Sequence, residues 1–266
     1  MNTIALRSGR VAEIAVSYPT GQPRCVLSWA AGRGGDEESY QPLADAMTAR
    51  GIAFVRCNFA DSRENDPSER DRINWPQRIE DFEEIVERSP EYLGLKIARL
   101  PFAVGGHSWG AQMALQQSAA TYITDDGRNL MGYLGSQCAV VWSPQGRDEG
   151  TNTTDQTWST IATPVLYVTG TEDTGDRTGD DADWRLEPFE RGSTKPRGLA
   201  VGEGIDHQIA GLTGRGELDA EAAEAIADLC AAFVLRYCDG SWRTRAAWWL
   251  QRMRPSRVFS RLEWVK

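Results

Sequence analysis

Leu100-Pro-Phe-Ala-Val-Gly-Gly-His-Ser-Trp-Gly-Ala-Gln-Met-Ala-Leu-Gln-Gln-Ser-Ala-Ala runs from residue 100 to residue 120. Its first part reads as a short buried strand and its last part as a helix, with Ser108 at the turn between them. The flanking glycines of Gly106-His107-Ser108-Trp109-Gly110 leave room for a tight, strained turn that pushes the serine hydroxyl out of the fold. A bare Gly-x-Ser-x-Gly arises often by chance. One bracketed by a strand and a helix is a nucleophile elbow, and that is a specific signal.

Outward from the elbow, strands and helices alternate. Residues 10–18 and 24–30 read as strands, and residues 38–50 as a helix that ends at Gly51. A strand over 52–56, a polar loop over 60–74 and an amphipathic helix over 75–88, with Ile79, Phe82, Ile85 and Val86 on one face, lead into the elbow. Beyond it come strands at 136–142, 164–169 and 199–202, and a long acidic loop over 170–192. Helices over 218–237 and 242–253 and a last strand over 258–265 complete the chain. This order predicts an α/β fold with a mostly parallel central sheet covered by helices on both faces. With no linker, repeat or low-complexity tract, one domain spanning residues 1–266 is expected.

Bulk properties narrow the partners. The chain carries 29 Lys+Arg against 38 Asp+Glu, a net charge of -9, which disfavours phosphate backbones and anionic lipid, so neither nucleic acid nor membrane is an expected partner. The arginine-rich stretch from Arg243 to Arg261 is the exception, and its tryptophans and leucines at helical spacing read as a docked helix. Five scattered cysteines without a CxxC pair read as buried thiols. The N-terminus has no apolar core of a secretion signal and no run is long enough to span a bilayer, so a cytoplasmic protein is expected. The oligomeric state is left open.

A serine hydroxyl is a weak nucleophile and needs a base, and that base needs an acid to orient it. There are only two histidines. His107, beside the serine, should point into the fold and pack there. His207, in Gly204-Ile-Asp-His-Gln-Ile, follows the last parallel strand; a lone loop histidine is ordinarily solvated, but the elbow needs a base and no other histidine is free. Chain order in such folds is serine, acid, histidine. Asp173 is therefore the candidate acid, with Glu172 as the alternative, while Asp176, Asp180, Asp181 and Asp183 read as solvated and Asp206 as shaping the loop. An oxyanion hole would take the amide of Trp109 and one from the loop at Gly32-Arg33. Trp142 and Gly32 are candidate substrate-binding residues, although Trp29, Trp109 and Trp142 read equally well as core beneath the site. Two histidines and unclustered cysteines offer little to zinc, so no metal or cofactor is expected.

These residues resemble those of the α/β-hydrolases. Gly106-His-Ser-Trp-Gly-Ala is similar to the elbow of bacterial dienelactone-hydrolase-like and chlorophyllase-like esterases, relatives of platelet-activating-factor acetylhydrolase and of cutinases. Trp142-Ser-Pro-Gln-Gly, Thr163-Pro-Val-Leu-Tyr-Val-Thr-Gly-Thr-Glu-Asp, Arg78-Ile-Glu-Asp-Phe and Gly204-Ile-Asp-His resemble further segments of those proteins, as do the C-terminal helices with Phe233 and Trp249-Leu250. The resemblance implies an α/β-hydrolase fold without a large cap domain and supports Asp173 over Glu172. One departure stands out: those esterases carry Ser-His-Gly-x-Gly-Gly in the oxyanion loop, where this chain has Ala30-Ala31-Gly32-Arg33-Gly34-Gly35. The expected activity is that of a serine carboxylic-ester hydrolase acting through an acyl-enzyme on a small or medium ester. Acyl transfer, perhydrolysis, and lactone or amide opening use the same triad, and a non-catalytic binding protein on a hydrolase scaffold is the alternative from another class.

Overall fold

A computed structural model describes residues 2–32, 39–59, 75–119, 122–123, 129–130, 135–147, 153–174, 182–193 and 196–266. The strands are β1 (Asn2–Ala5), β2 (Val11–Ser17), β3 (Cys25–Ala30), β4 (Ile52–Phe59), β5 (Phe102–His107), β6 (Tyr122–Ile123), β7 (Asn129–Leu130), β8 (Ala139–Trp142), β9 (Val165–Glu172), β10 (Arg197–Asp206) and β11 (Phe259–Val265). The helices are α1 (Gln41–Ala49), α2 (Trp75–Glu87), α3 (Ser89–Leu93), α4 (Leu95–Ala98), α5 (Trp109–Gln116), α6 (Asp155–Ser159), α7 (Glu187–Arg191), α8 (Ala220–Cys238) and α9 (Trp242–Met253).

Nine strands form one sheet in the order β1-β2-β4-β3-β5-β8-β9-β10-β11. The run from β4 to β10 is parallel, with β1 and β2 antiparallel at one edge and β11 antiparallel at the other. The central strands are buried on both faces because helices cover each side. Leu43, Ala44 and Met47 of α1 pack with α8 on one face. Phe82, Ile85 and Val86 of α2 pack with Ala111, Met113 and Leu115 of α5 on the other. This is the α/β-hydrolase arrangement expected from the elbow outward.

Besides short added elements such as β1, α3, α4 and α6, three segments that lead to the site differ from the sequence reading. β9 continues through Gly170 to Glu172, since Ile205 of β10 lies so close that no side chain fits at Gly170; the glycine marks a close approach and not the strand's end. The acidic loop beyond it contains a short 3₁₀ turn (Trp184–Leu186) and α7, whose Glu187 and Glu190 sit favourably at the helix's positive end. β10 runs on to Asp206 through a register shift between Gly202 and Asp206, which delivers His207 to the end of the strand. The polar loop over 60–74 lies outside the described residues. Among the described residues no helix is long and apolar enough to cross a membrane.

The glycines at the elbow are steric requirements. A Cβ on Gly106 would overlap the Gly110 carbonyl, and one on Gly110 would overlap the carbonyl of Ala30, at the end of β3. Both obstacles are backbone and cannot rotate away. Gly110→Ala is therefore expected to lower stability by about 3 kcal/mol, the upper end for overpacking. Gly9→Ala, in open space at φ 82°, is expected to cost about 1 kcal/mol from backbone strain alone. Urea unfolding of the two variants measures the difference.

Candidate active site

β5 delivers Ser108 to the C-terminal edge of the sheet at φ 55°, ψ −116°, a conformation non-glycine residues rarely adopt. The turn is held by the Ser108 amide, which donates to the Trp142 carbonyl at 2.9 Å. Trp109 occupies the first position of α5, where a helix amide has no carbonyl within its own helix. That amide and the positive end of α5 are suited to an anion forming beside Ser108.

The partners follow β9 and β10, two and three strands along the sheet from β5 and parallel to it. Asp173, immediately after β9, is fully buried, and its Oδ1 accepts from His207 Nδ1 at 2.8 Å. Thr169 Oγ1 donates to Asp173 Oδ2 at 2.6 Å. Arg185 Nε stands 2.8 Å from Asp173 Oδ1, and Arg185 Nη1 donates to the Ser143 carbonyl at 2.9 Å. Burial works to raise the Asp173 pKa, but the His207 hydrogen bond and the Arg185 charge outweigh it and hold the carboxyl well below its usual range. A carboxylate can only accept, so His207 Nδ1 carries a proton and Nε2 is the ring nitrogen left to serve as a base when the ring is neutral. Glu172 is exposed. Asp206 accepts from the Gln208 amide at 2.9 Å and shapes the turn that carries His207.

His107 joins the two halves of the site. It is buried, its ring centroid lies 4.6 Å from that of His207, and its Nε2 is 2.8 Å from the His207 carbonyl. Since a carbonyl only accepts, Nε2 must donate, which leaves Nδ1 as the acceptor for Tyr40 Oη at 3.0 Å. Tyr40 Oη in turn accepts from the Gly32 amide at 2.9 Å. Gly32 itself is pressed against the elbow: a Cβ there would stand 3.3 Å from that of Ser108. Each proton in this chain is determined by its neighbours. Burial, then the nearby charge of His207, pushes the His107 pKa well down, in keeping with a neutral ring. Isotope-labelled histidine in a protein with only two of them makes this measurable by nitrogen NMR. The His107 ring is expected as the neutral Nε2–H form, and the His207 Nδ1 that faces the Asp173 carboxylate is expected to carry a proton.

Not every candidate falls at the site. Trp142, expected to line a substrate pocket, is corrected: it is completely buried, edge-on to Trp29 at 4.8 Å, because the alternation of β8 turns it with Val140 into the core on the Trp29 face. Arg33, the second expected amide donor, lies outside the described residues, and Gly32 is in place beside Ser108. Three participants were not anticipated, Thr169 within β9 and two that come from farther away. Tyr40 precedes α1 with nothing in its surroundings to distinguish it, and Arg185 sits in an acidic stretch with other arginines nearby. The polar segments on either side of the site are tied together: Trp184 Nε1 donates to the Arg147 carbonyl at 2.8 Å, and Arg147 Nη2 pairs with Glu187 at 2.8 Å.

Among the described residues no cluster of His, Cys, Asp or Glu has the geometry to hold a metal ion. A search of curated proteins finds no match to the chain. The family of the alpha/beta hydrolase domain matches over residues 21–234, which takes in β3 through most of α8 and with them Ser108, Asp173 and His207. The chain is a member of the alpha/beta hydrolase family.

Proposed function

We propose that the protein is a serine carboxylic-ester hydrolase working through an acyl-enzyme. The observation that carries this reading is a strained serine whose neighbour, His107, is bonded to the backbone of a histidine already oriented by a buried carboxylate. In this reading His207 Nε2 takes the Ser108 proton as Oγ attacks the ester carbonyl. The tetrahedral oxyanion is met by the Trp109 amide and by one from the loop that begins at Gly32. Collapse expels the alcohol, which leaves with the proton from His207. Water then repeats the sequence on the acyl-Ser108, giving the carboxylic acid and the free serine.

Asp173 stabilises the imidazolium that forms transiently, and its ion pair with Arg185 keeps it anionic while it does so. The segments similar to dienelactone-hydrolase-like and chlorophyllase-like esterases support an ester as substrate. The test is direct. A fluorophosphonate probe should label Ser108 alone, and short-chain p-nitrophenyl esters should release p-nitrophenol and free acid in equal amounts. A protein that resists the probe is not a serine hydrolase. Labelling together with transfer of the acyl group to an added alcohol or amine, in preference to water, would make it a transferase.

A further inference from the structure

Helix α9 presents its apolar side to water. Its inward face is narrow: Thr244 and Trp248 are the buried residues, and Trp248 packs edge-on to Phe233 of α8 at 5.3 Å and to Trp264 of β11 at 4.4 Å. On the opposite face Trp242, Trp249 and Met253 recur at the spacing that returns to one side of a helix, with Leu250 beside them. They are 74%, 56%, 61% and 49% exposed, so this face is unpacked along its length. Exposed Arg245 falls along one margin of the stripe and exposed Arg243 and Arg254 along the other, while half-buried Arg252, next to Arg245 on its margin, turns its guanidinium over the Trp264 ring at 5.7 Å.

The charge around this face is one-sided. No Asp or Glu occurs from Gly240 to Leu262, in a chain that holds 38 of them. Among the described residues none of these four arginines is in an ion pair; Arg245 Nε bonds the Gly240 carbonyl, and the Arg243 guanidinium lies 5.6 Å over the Trp242 ring. The stretch that carries this face is therefore basic within a chain of net charge -9, and Asp239, which lines a groove with Trp242 and Arg243, is already paired with Arg24.

We infer that α9 is a docking surface for an anionic lipid bilayer, lying in the plane of the headgroups with Trp242, Trp249, Leu250 and Met253 inserted. An apolar stripe bearing tryptophan and bordered by arginines is the pattern that settles at about 5–10 Å depth in the interface, with the cations at the lipid phosphates. A nucleic-acid backbone would instead want the cations at the centre of the contact. A symmetric pairing of two copies through α9 would bring arginine margins together with no carboxylate on the helix to offset them. The acidic remainder does not prevent docking, because the Debye length at physiological ionic strength is about 8 Å and charges beyond it are screened from the lipid.

Co-sedimentation of the whole protein with phosphatidylcholine vesicles, with and without phosphatidylserine, tests the inference. Binding is expected only with phosphatidylserine and should fall as salt rises. Trp242→Ala together with Trp249→Ala, and Arg243→Glu together with Arg254→Glu, should each weaken partitioning more than about tenfold. Because these side chains are exposed, ester turnover in solution should match wild type, which also separates loss of docking from loss of fold. The inference is overturned if wild type ignores phosphatidylserine vesicles at low salt, or if both double variants still bind. It is equally overturned if sedimentation velocity shows a dimer that Trp249→Glu dissolves.

Discussion

Ser108→Ala is expected to lower turnover of a short p-nitrophenyl ester by about 10⁴–10⁶-fold, with KM changed far less. The size follows from the interdependence of the site. Without the hydroxyl, the oriented His207 has no proton to take from Ser108 and Asp173 has no imidazolium to stabilise, so the whole relay falls silent together. The proposed oxyanion donors, the Trp109 amide and its loop partner, would remain and would account for the activity that survives. The fold should not suffer, because alanine removes one oxygen from a half-buried side chain and leaves the turn's Trp142 hydrogen bond in place. A melting temperature close to wild type with abolished probe labelling is the expected pair of results. Retention of ester turnover within tenfold of wild type would place the nucleophile elsewhere.

The elbow could be read directly because its chemistry and its steric demands fall within a few consecutive residues. Ser108, the two glycines around it and the run into α5 are local, and local pattern is what sequence conveys. His207 was legible by elimination, since a chain with two histidines leaves one available once the other is committed to the elbow. Asp173 was reached from chain order, and the structure sets it against His207 with Glu172 turned to solvent. What escaped were partners assembled by the fold. Tyr40 meets His107 across 67 residues of sequence, and Arg185 reaches Asp173 from a segment that reads as solvated acid. Trp142 was open to two readings because a tryptophan at a strand end serves a pocket or a core equally well; only the direction of its pleat decides. Gly170 and the continuation of β9 show the same limit, since a glycine required by a close approach between strands looks, in one strand alone, like the strand's end.

Arg185 is the reason Asp173→Asn should harm both activity and stability. For turnover, an amide at this position can no longer fix the Nδ1–H form of His207 by accepting alone, and a loss of about 10⁴-fold in kcat is expected. For stability, the change leaves a buried guanidinium facing a neutral group, with the Ser143 carbonyl, the more distant Pro144 carbonyl at 3.4 Å and the Trp184 ring, none of them an anion, to meet it. Breaking a buried ion pair by removing one partner costs about 3–5 kcal/mol, so a clear fall in melting temperature should accompany the loss of activity. Acid titration separates the two effects. The Asp173 carboxyl is held below its unfolded value, so its contribution to stability is complete above the ordinary aspartate range and is lost as pH falls toward the folded pKa. Wild type should therefore lose stability on that descent more steeply than Asp173→Asn, and the two unfolding curves should converge at low pH. Arg185→Gln supplies the counterpart: it leaves the Asp173–His207 bond intact but removes the charge that holds the carboxyl down, so part of the activity should survive with stability again reduced. Equal acid slopes in wild type and Asp173→Asn would show that Asp173 is not the anion bound between His207 and Arg185.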